Sequence, residues 1–157
     1  MKKSTLKLMS AVLASFVFCI TVSSSVVQAN SLERSIEGTW RTVVTPVNCQ
    51  TGVPVAPAFP GILSFEKGGT LAGTSAPVTA AFGIWQADQG SQNYSFSFTN
   101  FRYDAAGVLI GSQVVRQTLV LDPSGNDFTS SGTVQLLNLN GVVIGSGCAI
   151  STGTRFQ

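Results

Sequence analysis

From residue 38 onward, apolar and polar positions alternate in short runs broken by Gly, Asn, Asp and Pro, with no sustained helical repeat. A period of two sends successive side chains to opposite faces of an extended chain. Each run therefore predicts a β-strand with one buried and one wet face. Eight strands are expected: Gly38–Val47, Ile62–Glu66, Thr70–Ser75, Phe82–Ala87, Asn93–Tyr103, Val108–Leu121, Asp127–Leu137 and Val142–Phe156. A connection carrying Pro54, Pro57 and Pro60 separates the first two, and loops around Pro77 and Gly90 flank the fourth. Turns are expected at Lys67-Gly68-Gly69, Asp104–Gly107, Asp122-Pro123-Ser124-Gly125 and Asn138–Gly141.

Connections this short make successive strands antiparallel neighbours. The fold class is therefore all-β, an eight-stranded antiparallel up-and-down meander. It has two solutions, a closed barrel or a β-sandwich. Closure is the expectation, because it removes exposed edges that a chain with few charges protects poorly.

The start of the chain follows a different pattern. Lys2, Lys3 and Lys7 precede a mostly apolar run from Leu8 to Val22, and Val27-Gln28-Ala29 has the small-residue spacing of a cleavage site. Residues 1–29 read as a bacterial-type secretory signal peptide cut after Ala29, leaving a single β-barrel domain over 30–157. The mature protein is then expected to be secreted or periplasmic. Only 10% of the chain is charged, and the signal peptide holds three of its nine basic residues. Without them six basic residues face seven acidic ones, and the net charge changes from +2 to −1. No basic patch is left for nucleic acid or for a polybasic membrane-surface mode. Low net charge leaves homo-oligomerisation open.

Two of three cysteines, Cys49 and Cys148, survive cleavage, and in an oxidising compartment they most simply form one disulfide. It would join the exit of the first strand to the last strand, which are adjacent only in a closed sheet. Histidine is absent, which excludes a Ser-His-Asp triad, a His-ligated metal and a His-activated thiol. No metal or cofactor is expected. Asp122-Pro-Ser-Gly-Asn-Asp127 superficially looks like a calcium loop, but lacks EF-hand spacing and a closing glutamate, so it reads as a turn. Asp104, Asp122 and Asp127 fit turn chemistry, in which a carboxylate accepts from nearby backbone amides.

Three segments share one form: Gly69-Thr-Leu-Ala-Gly73-Thr, Gly107-Val-Leu-Ile-Gly111-Ser and Gly141-Val-Val-Ile-Gly145-Ser. The first glycine suits a turn with positive φ, the second a bulge or barrel corner.

Gly38-Thr39-Trp40 opens the first strand and Thr154-Arg155 ends the last. This pairing resembles the calycin superfamily of lipocalins, fatty-acid-binding proteins and avidins, and Gly69-Thr-Leu-Ala-Gly-Thr-Ser resembles the second hairpin of avidins. The resemblance implies that Trp40 plugs one barrel end and that Arg155 stacks across it as a cation–π contact. In shape alone the chain also resembles the allene-oxide-cyclase and dirigent barrels.

Candidate ligand residues come from the most patterned strands. Tyr94, Phe96 and Phe98 share one face of the fifth strand, with Ser95, Ser97 and Thr99 on the other. These aromatics, with Trp85 and Phe128, either line a ligand cavity or simply fill the barrel. Arg116 lies inside an apolar strand; turned inward it would grip a carboxylate, turned outward it would be a solvated side chain. Arg102 shares the aromatic face near a turn, at a rim. The leading expectation is a non-enzymatic secreted barrel that binds a small apolar ligand. The alternatives are a barrel cyclase or isomerase steering an intermediate with Arg116 or a tyrosine, and a surface interaction module.

Overall fold

The computed structural model describes residues 35–76, 78–88 and 92–156. The expected signal peptide and the centres of the loops at Pro77 and Gly90 lie outside them. Eight strands follow one another: β1 Gly38–Val47, β2 Phe59–Glu66, β3 Thr70–Ser75, β4 Val78–Ala87, β5 Asn93–Tyr103, β6 Leu109–Leu121, β7 Asp127–Leu137 and β8 Val143–Arg155. Each pairs antiparallel with the next, and β8 pairs with β1 to close the barrel. The sandwich alternative is thereby excluded.

Two strands start earlier than their patterns predict. β2 takes in Pro60, which sits opposite Val43 and whose carbonyl accepts the Ala76 amide N–H at 3.1 Å. A proline near a strand start needs no ladder donor of its own. β4 begins four residues early because Ala80-Ala81 carries no alternation for a pattern to detect.

The glycine repeat is architectural. Gly69, Gly107 and Gly141 have φ of 89°, 77° and 75°, the left-handed values that favour glycine in a turn. The second glycines sit where registers slip: between Gly73 and Ser75, opposite Arg102/Tyr103 at Gly111, and opposite Leu136/Leu137 at Gly145. These bulges bend strands that must curve to close.

The disulfide Cys49–Cys148 forms, with Cα atoms 5.1 Å apart. It lies beside the Val47–Cys148 pair at the end of the β1–β8 seam. A covalent bond there fits an oxidising compartment.

The meander gives the barrel two unlike ends. One gathers residues 35–37 and the turns that follow β2, β4 and β6; the other, termed the mouth, gathers the β1–β2, β3–β4, β5–β6 and β7–β8 connections. Residues 48–58, 104–108 and 138–142 at the mouth contain one charged residue, Asp104. Apolar side chains are exposed there instead, among them Val53, Val55, Val108, Leu139 and Val142.

Candidate functional site

The non-mouth half of the barrel is solid. Trp40 enters from β1, is fully buried, and donates its indole N–H to the Ile36 carbonyl at 2.8 Å. The Arg155 guanidinium lies 4.3 Å from the Trp40 ring centroid, directly across the β1–β8 pair. It also donates to three carbonyls: Gly125 at 2.9 Å, Glu37 at 2.6 Å and Ser35 at 2.7 Å. One side chain thus ties the chain before β1, the β6–β7 turn and the end of β8 to the plug. Gly38 leaves room for it. A Cβ there would lie 2.9 Å from Arg155 Nη1, on a backbone with φ of 117°. The Gly-x-Trp spacing has a steric reason in this chain.

Above Trp40 the aromatics pack edge to face. Phe128 meets Trp40 at 5.0 Å, and Phe65 meets Phe96 at 5.7 Å and Trp85 at 6.2 Å. Leu71, Tyr94, Leu119 and Leu121 complete this core. Each aromatic contact contributes about 0.5–1.5 kcal/mol beyond its area.

A polar layer ends the plug. The Gln117 Oε1 accepts from the Ser130 hydroxyl at 2.7 Å and the Ser151 hydroxyl at 3.5 Å, all three side chains being buried. Beyond this layer the barrel is hollow. A cavity of about 390 Å³ is walled by Leu63, Phe96, Phe98, Val115, Val134 and Leu136, with Thr42, Gln117 and Ser151 at its floor. Its lining extends to Val55 and Ser146, both exposed, so it reaches solvent at the mouth.

The predicted aromatics therefore divide. Phe96 and Phe98 line the cavity, with rings stacked at 6.2 Å and 7° between planes. Tyr94 and Phe128 lie in the plug, and half-buried Trp85 packs on its edge, donating its indole N–H to the Glu66 carbonyl at 2.9 Å. The reason is strand length. β5 runs the full height of the barrel, so its inward face starts in the plug at Tyr94 and reaches the cavity at Phe96.

Of its two alternatives, Arg116 takes the outer face, and it leaves the set of candidate ligand residues. Val115, Gln117 and Leu119 are buried, so parity sends Arg116 outward, where it donates to the Gln135 Oε1 at 2.9 Å. It cannot grip a ligand inside. A cyclase steered by Arg116 or Tyr94 needs that side chain bonded to an inward carboxylate, and the described residues form no such pair. Every described carboxylate side chain other than half-buried Glu37 is exposed. Asp104 Oδ1 accepts from the Ala106 and Val108 amides, and Asp122 Oδ1 from the Ser124 amide, as turn chemistry requires. Asp127 instead accepts the Thr154 hydroxyl across the β7–β8 pair. The calcium-like segment closes as a hairpin, with the Asp122 amide donating to the Asp127 carbonyl.

Asn100 is a further cavity residue, beyond those the pattern of β5 singles out. It occupies the same inward parity as Tyr94, Phe96 and Phe98, is 3% exposed and lines the cavity. Its signal was present in the period of β5, but a polar residue interrupts the aromatic series and reads as outward.

The sequence matches no protein-family model and no curated protein.

Proposed function

We propose that this protein is a secreted or periplasmic, non-enzymatic barrel of calycin-like architecture that holds a small apolar ligand. The observation that carries the reading is the hollow half of the barrel. Its volume of about 390 Å³ falls in the range of small-molecule sites, which are concave, mostly apolar and few per protein. The Trp40–Arg155 plug supports the calycin comparison, and the Lys-led apolar start and the disulfide support an extracytoplasmic place. The absence of a paired inward acid and base among the described residues favours binding over acid–base chemistry.

The test is displacement of an environment-sensitive apolar dye from the purified protein. Dye fluorescence should rise on binding and fall as alkyl compounds compete. Val115→Trp, which fills the cavity from β6, should abolish the signal while far-UV circular dichroism stays unchanged. Undiminished dye binding in that variant would place the dye on the surface and sink the reading.

A second reading, self-association, draws on the outer wall. Phe82, Ile84 and Phe101 are 70%, 67% and 62% exposed on β4 and β5. The outer face therefore carries large apolar side chains among its polar ones.

A further inference from the structure

Two polar side-chain atoms of β5 are buried without a partner among the described residues: Asn100 Oδ1 and Arg102 Nη1. Asn100 lies on the cavity wall; Arg102 is not part of that wall but lies two positions nearer the mouth on the same face of β5, at the cavity's rim. The Asn100 amide nitrogen donates to the Phe101 carbonyl at 3.3 Å. That bond settles which end of the amide is which, so the atom left over is an acceptor. The Arg102 atom is a donor. A buried polar atom without a partner costs about 1–3 kcal/mol, a cost that a bound ligand or water bonding it removes.

We infer that Asn100 is the polar end of the cavity with Arg102 reaching over it from the rim, and that its ligand is a neutral amphiphile whose head both donates and accepts a hydrogen bond. This rests on the ligand-binding reading and narrows it to alkyl alcohols and primary carboxamides. The head's O–H or N–H donates to Asn100 Oδ1, and its oxygen accepts from Arg102 Nη1. The alkyl part lies against Phe96, Phe98, Leu63 and Val115. A carboxylate fits less well. It would accept from Arg102 but bring no proton to Asn100, and its charge would face the amide oxygen. An ether or ester leaves Asn100 unpaired for the same reason.

The experiment is competition of the bound dye by four probes of equal chain length: a medium-chain alkanol, its methyl ether, the alkanamide and the alkanoate. The alkanol and alkanamide should bind about tenfold more tightly than the ether, the ratio that one well-made hydrogen bond of about 1.4 kcal/mol supplies. Asn100→Leu, which replaces the amide with an apolar group of similar shape, should bring that ratio to about one. It should leave thermal stability of the free protein unchanged or raised, because the orphaned acceptor is gone. Arg102→Met should weaken alkanol and ether together by several-fold, since both lose the same donor. Equal binding of alkanol and ether to the wild type overturns the polar end while leaving the cavity reading intact. So does a tenfold preference that survives Asn100→Leu, or alkanoate binding tighter than alkanol. If none of the four displaces the dye, the cavity reading falls and the polar end with it.

Discussion

At the scale of single residues, Arg155 carries the most connections. It stacks on Trp40 and donates to three backbone carbonyls from two separate segments. Arg155→Ala would leave those carbonyls unpaired and uncover the indole. We expect a loss of about 2–4 kcal/mol in urea unfolding, with Arg155→Lys recovering only part of it. A lysine keeps the charge but lacks the planar fork that reaches several acceptors at once. A loss below the error of the fit would show that the plug is held by packing alone. Asp122 offers a pH-dependent counterpart at the surface. Hydrogen bonds from the Ser124 side chain and then its backbone hold its carboxyl below the ordinary aspartate value. A depressed folded pKa stabilises the fold above the unfolded value, and that contribution is lost as pH falls through the folded one. The Asp122 carboxyl should therefore titrate below the ordinary aspartate value in a carbon-detected NMR titration. Ser124→Ala should move the midpoint upward.

At the scale of elements, the β1–β8 seam closes the meander. Seven strand pairs join chain neighbours, and this one joins residues more than a hundred positions apart at its Trp40–Arg155 end. It is held by its ladder, by the plug and by the Cys49–Cys148 bond, which spans a sequence separation of 99. A loop that long is worth up to about 4–5 kcal/mol on the chain-entropy account. Reduction of the disulfide should lower stability by a large share of that figure. Cys49→Ser and Cys148→Ser should each reproduce the reduced protein and not add to one another. A larger loss in one single variant than on reduction would mean that its cysteine packs in a way serine cannot. The bulges at Gly73, Gly111 and Gly145 act on the same closure from within the strands.

For the whole molecule, the notable property is polarity along the barrel axis. The plug end carries Glu37, Lys67, Asp88, Asp122 and Arg155, while the mouth loops carry apolar tips and Asp104 alone. Exposed apolar area of this kind favours association. Sedimentation at rising concentration should show self-association that high salt does not weaken, because charge contributes little to it. Leu139→Asp with Val142→Asp should reverse it if the mouth is the contact, and Phe82→Ser with Ile84→Ser if the outer wall is. A monomer at all concentrations and salt levels would set the association reading aside.

Strand count, strand order and the buried aromatic faces were legible in the chain, because a period of two and turn residues are local properties. The Cys49–Cys148 pairing followed from compartment and from the need to close the sheet. Arg116 shows where local reading stops. A strand's two faces are distinguishable by pattern, but which one faces inward at a mixed position depends on the neighbours that β5 and β7 bring. The division of Tyr94 and Phe128 from Phe96 and Phe98 was equally out of reach. All four are inward, and only height along the barrel axis separates plug from cavity. That height is set by stagger between strands and by bulges, which are properties of the closed sheet. The unpaired oxygen of Asn100 likewise exists only once eight strands surround it. Sequence alone determined an eight-stranded antiparallel β-meander with an apolar interior and favoured its closure over a sandwich. Tertiary structure decided that half of that interior is filled and half is open, because filling depends on where side chains from opposite walls meet.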